Sequence, residues 1–131
     1  MFSITHIDHL VLTVKDIPTT LEFYARVLGM QAIQFMGTDN NERVALKFSN
    51  HKINLHQAGK EFLPHAHNAT PGSADLCLTT ETDLKQAMAY VRECNVEIIE
   101  GPVKRTGATG KLMSFYIRDP DLNLIEISNR L

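Results

Sequence analysis

Four polar side chains lie in segments of the sequence that otherwise have the pattern of apolar strands. His9 falls in IDHLVLTV, Asn54 in KINLHQ, Asp75 in SADLCLTT and Glu126 in LIEISN. Burial of a carboxylate in such a segment is unfavourable unless a cation meets it. If the imidazole and the two carboxylates converge, a divalent metal ion is the partner that satisfies all of them.

Strand alternation indicates which way these side chains point. In the first segment the alternate positions form an apolar face of Leu10, Leu12 and Val14. His9 belongs to the opposite face. In the later segments Asn54 shares a face with His56, and Glu126 shares a face with Ser128. We expect helices to cover the apolar faces and the polar faces to line a cleft.

The segment KDIPTTLEFYARVLGM, which follows the first strand, predicts a helix. Asp16 can cap its N-terminus, Pro18 suits the first turn, and Gly29 suits a left-handed stop. Three short strands are expected next, in MQAIQFM, ERVALKFS and KINLHQ, separated by turn-forming residues.

The chain then repeats this pattern. A shift of 66 residues places Asp75 on His9 and keeps a strand, a helix and the next strand in one register. A shift of 72 residues places Glu126 on Asn54. A common register over several elements indicates two copies of one βαβββ unit.

The sequence therefore predicts an α+β protein with one domain over residues 1–131. Its first module spans 4–57, a connector spans 58–72, and the second module spans 73–129. Each module alone has too little apolar surface for a core, so we expect the two modules to pair with pseudo-twofold symmetry. The curved sheet cleft formed in this way is the expected site for a small-molecule substrate.

Composition excludes several classes of partner. The formal net charge is −2, so no nucleic-acid partner is expected. No apolar run approaches the roughly 20 residues that a membrane span needs, so no membrane partner is expected. The N-terminal segment lacks the pattern of a signal peptide, and the two cysteines have no metal-site spacing. We interpret Cys77 and Cys94 as small buried side chains and expect a cytoplasmic protein.

One further segment could bind substrate. GATGK at 107–111 lacks the pattern of a phosphate-binding loop. We interpret it as a flexible hairpin tip, whose Lys104, Arg105 or Lys111 could meet an anionic substrate.

The stretches IDHLVLTVKDI and FYARVLGM, and above all FYIRDPDLNLIEI, resemble the vicinal oxygen chelate superfamily over about residues 4 to 129. That superfamily includes glyoxalase I, extradiol dioxygenases, fosfomycin-resistance proteins and bleomycin-binding proteins. The resemblance implies that His9 and Glu126 are metal ligands. It also implies that Asp75 holds the place of a third ligand, usually histidine, and that Asn54 holds the place of a fourth.

Two departures from the family pattern bear on the metal. Asp75 in place of histidine favours Mn, Ni, Zn or Mg over Fe as the divalent metal. Asp75 could alternatively orient His9 as a hydrogen-bond acceptor. Asn54 is a weak ligand, and His56, on the same side, could replace it or accept a proton. Tyr116 lies where relatives place a cleft-facing tyrosine and could bind a substrate oxygen, or it could be an aromatic core residue.

The resemblance favours a glyoxalase-like, metal-dependent lyase or isomerase whose substrate binds through two neighbouring oxygens. Its catalytic residues would be Glu126, His56 and Tyr116. The alternatives are an extradiol-type dioxygenase and a metal-free protein that binds a small molecule and confers resistance. Many members of the superfamily are dimers, so a homodimer is expected, with modules that pair within one chain or swap between chains.

Overall fold

The chain folds into two compact units, Met1–Pro71 and Gly72–Leu131, in a computed structural model that describes residues 1–131. Each unit holds one helix and one four-stranded mixed sheet. Neither helix has the length and apolar character needed to cross a bilayer.

The first unit contains five elements in the order β1 (His9–Val14), α1 (Ile17–Leu28), β2 (Gln31–Met36), β3 (Glu42–Phe48) and β4 (His51–Gln57). The sheet order is β1-β4-β3-β2. Strand β1 runs parallel to β4, whereas β3 is antiparallel to both of its neighbours. The last strand of the unit therefore lies inside the sheet.

Helix α1 begins and ends at the predicted residues. Asp16 accepts a hydrogen bond from the Thr19 backbone N–H, and Pro18 lies in the first turn. Gly29 ends the helix at a φ of 68°, a left-handed conformation that glycine adopts without a Cβ penalty. The helix lies against the sheet, and the buried core of the unit includes Phe23, Tyr24, Val27, Leu46, Ile53 and Leu55.

The second unit repeats this architecture with β5 (Asp75–Thr79), α2 (Leu84–Glu93), β6 (Glu100–Thr106), β7 (Lys111–Arg118) and β8 (Leu124–Arg130). The sheet order is β5-β8-β7-β6, and β5 runs parallel to β8. Helix α2 lies against β7, and the buried apolar side chains include Met88, Val91, Phe115, Ile117, Ile125 and Ile127.

The turn between β7 and β8 is organised by Asp119. Its carboxylate accepts hydrogen bonds from the backbone N–H groups of Asp121 and Asn123. Asn123 in turn accepts from the Ala74 backbone N–H, which ties the start of β5 to β8. Leu122, a non-glycine residue in this turn, adopts a left-handed φ of 69°. The Leu122 side chain is exposed.

Two predictions about the fold are confirmed. The protein is α+β, and the two units are repeats of one βαβββ module. The strand registers agree with the repeat found in the sequence, because Val11 is opposite Asn54 and Cys77 is opposite Glu126. The single domain and the symmetric pairing of the modules stay predictions.

Candidate functional site

One face of the first sheet carries the polar residues predicted in that half of the chain. In the register of β1 and β4, Val11 lies opposite Asn54 and Thr13 lies opposite His56. His9, two residues before Val11, shares their side of the sheet. We call this surface, which also includes Arg43 of β3, the first polar face. As predicted, the opposite face holds the buried Leu12 and Val14.

His9 is exposed, and one of its ring nitrogens is already engaged. Its Nδ1 lies 2.8 Å from the Asp8 carboxylate, and the bond with His9 holds the pKa of Asp8 below its ordinary value. An ionised carboxylate only accepts hydrogen bonds, so Nδ1 carries the proton and donates it. In the neutral imidazole, the lone pair of Nε2 is then available to a ligand. A histidine that binds a metal commonly has this arrangement.

His56 and Asn54 are less accessible than His9. His56 is 6% exposed, and its Nδ1 is buried without a hydrogen-bond partner. The same is true of Asn54 Oδ1. Burial lowers the pKa of His56 below its ordinary value, and the nearby Arg43 guanidinium lowers it further. His56 is therefore a neutral imidazole at pH 7.

Arg43 and Phe62 surround the imidazole of His56. The Arg43 guanidinium carbon lies 3.7 Å from the centroid of the Phe62 ring, and that ring meets the His56 ring edge-on at 5.5 Å between centroids. Arg43 also donates from Nη2 to the Asp39 carboxylate at 2.6 Å. Its Nε is buried without a partner.

One face of the second sheet is organised around Glu126. Ser114 Oγ donates to Glu126 Oε2 at 2.7 Å, and Ser128 Oγ donates to the same oxygen at 3.3 Å. The two serine hydroxyls lie 2.6 Å apart, and both residues are buried. Neither serine contact involves Glu126 Oε1.

Tyr116 lies beside Glu126 on the neighbouring strand, directly opposite it in the register of β7 and β8. Its hydroxyl accepts a hydrogen bond from Arg105 Nε at 2.8 Å. Burial raises the pKa of Tyr116 above its ordinary value, and the Glu126 carboxylate raises it further, whereas the Arg105 bond opposes these effects. The phenol is therefore a neutral hydrogen-bond donor near Glu126.

Arg105 belongs to strand β6 and not, as expected from the sequence, to the flexible hairpin tip. Besides Tyr116, its guanidinium contacts the Glu100 carboxylate at 3.5 Å. Bonded on both sides, Arg105 is a fixed neighbour of Tyr116. Tyr116 is therefore part of a polar network and not a core aromatic.

Cys77 and Asp75 lie on the same side of the sheet as Glu126. Cys77 is opposite Glu126 in the register, and its thiol lies 3.4 Å from Ser128 Oγ. Cys77 is exposed and Cys94 is partly exposed, so the interpretation of both as buried side chains was wrong. Desolvation raises the pKa of the Cys77 thiol. Asp75 is exposed at the first position of β5.

The predicted site residues thus fall into two sets. His9, Asn54 and His56 share the first polar face, whereas Asp75, Tyr116 and Glu126 share a face of the second sheet. No group of three or more His, Cys, Asp or Glu side chains that could hold a metal ion is found. The convergence of His9 with Glu126 stays a prediction.

Three functional candidates were missed or misjudged from sequence, namely Arg43, Arg105 and Ser114. Ser114 could have been found, because strand alternation from Tyr116 places it on the same side as Glu126. The two arginines gave no comparable signal. Charged residues at alternate strand positions usually face solvent.

Comparison with known proteins links the chain to one family. The model of the Glyoxalase/Bleomycin resistance protein/Dioxygenase superfamily matches residues 6–127. Virulence protein STM3117 of Salmonella typhimurium is 55% identical over 125 residues, which are 95% of this chain and 84% of that protein. Glyoxalase domain-containing protein RDO1 of Mycosarcoma maydis is 48% identical over 127 residues, 97% of this chain and 69% of that protein.

Solved structures extend the comparison. A protein from the mobile metagenome of V. pseudocholerae is 58% identical, with a TM-score of 0.93, and the match covers 98% of this chain and 97% of that one. The antibiotic binding protein TnmS3 from Streptomyces is only 21% identical, with a TM-score of 0.76, and the match covers the whole of both chains. At that identity the likeness concerns the fold alone.

Proposed function

Because the chain belongs to the Glyoxalase/Bleomycin resistance protein/Dioxygenase superfamily, we propose that it is a metal-dependent lyase or isomerase. Its substrate would be a small molecule that presents two neighbouring oxygens. The resemblance inferred from the sequence is confirmed at the level of this superfamily. The reaction, the metal and the site residues are our proposal.

The position of Tyr116 opposite Glu126 on the neighbouring strand is the observation that best supports the proposal. A carboxylate held by two serine hydroxyls stands next to a neutral phenol, on strands that are hydrogen-bonded to each other. A fixed base beside a fixed proton donor is what proton transfer between neighbouring substrate atoms requires. Because rigid strands carry both groups, their positions cost no reorganisation during the reaction.

The donor atoms that we propose as metal ligands are of types that suit a divalent ion. His9 offers Nε2 while Nδ1 is bonded to Asp8, and Glu126 offers Oε1 while Oε2 is bonded to serines. With Asp75 as the third ligand, this nitrogen and oxygen set suits Mn, Ni, Zn or Mg better than Fe. When bound, the metal would supply Lewis-acid polarisation of the two substrate oxygens.

The side chains of the protein would do the rest. Glu126 would accept a proton from the substrate carbon, with His56 as the second candidate for that role. The Tyr116 hydroxyl would donate a hydrogen bond to a substrate oxygen as negative charge develops there. Arg105 would keep the phenol in place, because its Nε–H occupies a lone pair of the hydroxyl oxygen and leaves the phenolic proton to point elsewhere.

A second candidate function is metal-free binding of a bulky small molecule. It is favoured by apolar side chains on the first polar face, where Val11 is 44% exposed and Ile33 and Phe35 are partly exposed. Such a surface could pack against a flat or apolar ligand. This function would need neither His9 nor Glu126.

Metal analysis of the purified protein tests the proposal. We expect protein prepared without chelator to hold about one Mn, Ni, Zn or Mg ion, and the substitutions H9A and E126Q to abolish that binding. Turnover would be assayed with the thiol adduct of a small dicarbonyl. H67A, in an exposed part of the connector, is the matched control and should retain metal and activity.

Three results would contradict the proposal. Bound iron together with cleavage of a catechol ring would establish the dioxygenase alternative. Saturable binding of a bulky ligand without metal, unchanged in H9A, would show that the function is metal-free binding of a small molecule. Equal metal content in H67A and H9A would remove His9 from the ligand set.

We also propose a cytoplasmic homodimer in which the two modules form one domain. Light scattering on the purified protein tests the dimer, because a monomer has the chain mass of 14.7 kDa and a dimer has twice that mass.

A further inference from the structure

Strand β6 holds one residue more than regular pairing with β7 would need. Glu100 lies opposite Tyr116, and Val103 lies opposite Ser114, so two residues of β6 stand across from a single residue of β7. This irregularity is a β-bulge, which changes the face to which a side chain points. Simple alternation would place Glu100 and Val103 on opposite faces of the sheet. Because of the bulge, both lie on the face that carries Glu126.

The residues at the bulge are suited to it. Gly101 has a φ of 122°, a conformation that favours glycine. A Cβ at this position would lie 2.7 Å from the Phe115 Cα and 2.7 Å from the Ser114 backbone oxygen, so a larger residue does not fit. Pro102 has no backbone N–H and leaves no donor unpaired where the ladder is interrupted. The side chain that this bulge redirects is that of Glu100.

On this face Glu100 meets the guanidinium of Arg105. Glu100 Oε1 lies 3.5 Å from Arg105 Nη2. The Nε of the same guanidinium donates to the Tyr116 hydroxyl at 2.8 Å, and Nη1 donates to the Lys104 carbonyl at 3.1 Å. Because the guanidinium is planar and its donors point in fixed directions, these three contacts together define its orientation.

Arg105 has two carboxylates within reach, one on each side of Tyr116. Tyr116 lies opposite Glu100 on β6 and opposite Glu126 on β8, so the three residues form one row across three strands. The charge of Glu126 acts on Arg105 as well as that of Glu100. A guanidinium bound only to a phenol oxygen would therefore be drawn to the carboxylate of Glu126, since a charge-assisted bond is the stronger one.

We propose that Glu100 is a positioning residue that holds the Arg105 guanidinium at the Tyr116 hydroxyl and opposes its attraction to Glu126. It contacts neither substrate nor metal and acts through Arg105. As a role in catalysis, the assignment rests on the proposed function, in which Tyr116 donates a hydrogen bond to the substrate. The placement of Arg105 does not depend on that function and can be measured without turnover.

NMR of the Arg105 side chain measures this placement. We would record its Nε–H signal in the isotope-labelled full chain, assign it by its absence in R105K, and measure its exchange with water. E100Q removes the charge of Glu100 and nearly keeps its size. It should speed the exchange about fivefold, the effect expected from the loss of one exposed ion pair. Y116F, which removes the acceptor, should speed it as well.

Two further variants show whether the charge and reach of Glu100 matter. E97Q is the matched control, because Glu97 is an exposed residue of the loop before β6 and loses the same charge. It should leave the Arg105 signal unchanged. E100D keeps the charge but shortens the side chain by one methylene group, so its exchange rate should be intermediate. The amide spectrum of each variant reports whether the fold is intact.

A double-mutant cycle on turnover tests whether Glu100 acts through Tyr116. With metal in saturating excess, E100Q should lower kcat about fivefold and leave KM unchanged. In the Y116F background E100Q should have no further effect, because no hydroxyl is left to hold. E97Q should have no effect in either background. A loss that came from a weakened fold would instead be equal in both backgrounds.

Three results would overturn the role of Glu100. They are an unchanged Arg105 exchange rate in E100Q, an equal change in E97Q, or an equal loss of turnover from E100Q with and without the Tyr116 hydroxyl. The experiment also separates this inference from the proposed function. Faster exchange in E100Q, in a protein that shows no metal and no turnover, would contradict only the enzyme. Turnover that E100Q leaves unchanged would contradict only the role of Glu100.

Discussion

Glu126 accepts hydrogen bonds from two serines, and the two bonds differ in length. The bond from Ser114 is 2.7 Å, whereas that from Ser128 is 3.3 Å. The shorter bond should contribute more to holding the carboxylate in place.

This difference predicts graded effects of two substitutions on metal affinity. S114A should weaken metal binding about tenfold or more, because residues that orient a ligand typically matter by that amount. S128A should weaken it less. Calorimetric titration of chelator-treated protein with Mn and Zn measures both. Equal effects would show that the difference in bond length does not matter, and no effect would show that the serines do not orient Glu126.

Tyr116 leads to a second prediction. Y116F removes only the hydroxyl, so turnover should fall about a hundredfold while metal affinity is unchanged. Burial and Glu126 raise the pKa of the phenol above its ordinary value of 10.0, so the proton donor is present across the neutral and mildly alkaline range. Wild-type activity should therefore show no loss from tyrosine ionisation below pH 10. A pH–rate profile of both proteins checks this, and a Tyr116-dependent decline near pH 8 would contradict it.

The residue types and faces of the site were accessible from sequence, whereas the contacts were not. Period-2 alternation sufficed to place His9, Asn54 and His56 on one side of a sheet. It could not show that Arg43 lies over Phe62, because a long flexible side chain adopts the rotamer that its neighbours leave open. The prediction that Cys77 is buried was wrong because an apolar strand pattern does not show which face of the sheet is covered by another element.

At the scale of elements, the repeat in the sequence predicted the order of strands and helices. The shift of 66 residues relates β1 to β5, and the shift of 72 relates β4 to β8. These elements were predictable because caps, turns and alternation act locally. The bulge between Glu100 and Val103 in β6 was not, since it depends on pairing with β7.

The two helix N-termini differ in a way that leads to a third prediction. Asp16 caps α1 with a side-chain bond to Thr19, whereas Asp83 makes no side-chain capping bond to α2. D16A should therefore lower the melting temperature more than D83A at pH 7.

The effect of D16A should also depend on pH. The bonds from Thr19 lower the pKa of Asp16 below its ordinary value of 3.8. Its contribution to stability is therefore complete above that value and is lost as the pH falls through the lowered pKa. Thermal unfolding at pH 7 and at successively lower pH should show the difference between wild type and D16A shrinking only below pH 3.8. A constant difference would show that the carboxylate charge does not matter.

For the whole molecule, the central prediction is that the two units share one ion. His9 belongs to the first unit and Glu126 to the second. If both bind the same metal, either substitution alone should remove the stabilisation that the metal provides, about 2.7 kcal/mol at a hundredfold excess over the dissociation constant.

A double-mutant cycle tests this directly. In the presence of metal, H9A and E126Q should each lower the melting temperature, and the double substitution should lower it no further than the worse single one. H67A combined with E126Q is the control and should show simple additivity. Additive losses for H9A and E126Q would mean that the two residues do not act on one ion. Sequence alone could not decide this, because it contains no distances between modules.

The parallel pairing of β1 with β4 has a consequence for how the chain is made. His9 lies opposite Lys52, and Asp75 lies opposite Leu124, so the opening strand of each half finds its neighbour only after the fourth strand has been synthesised. Until then, the opening strand leaves the ribosome with both of its edges unpaired. A partly synthesised chain in that state is the form most prone to associate wrongly. The speed with which the last strand of each half emerges should therefore govern the yield of native protein more than the speed of any earlier one.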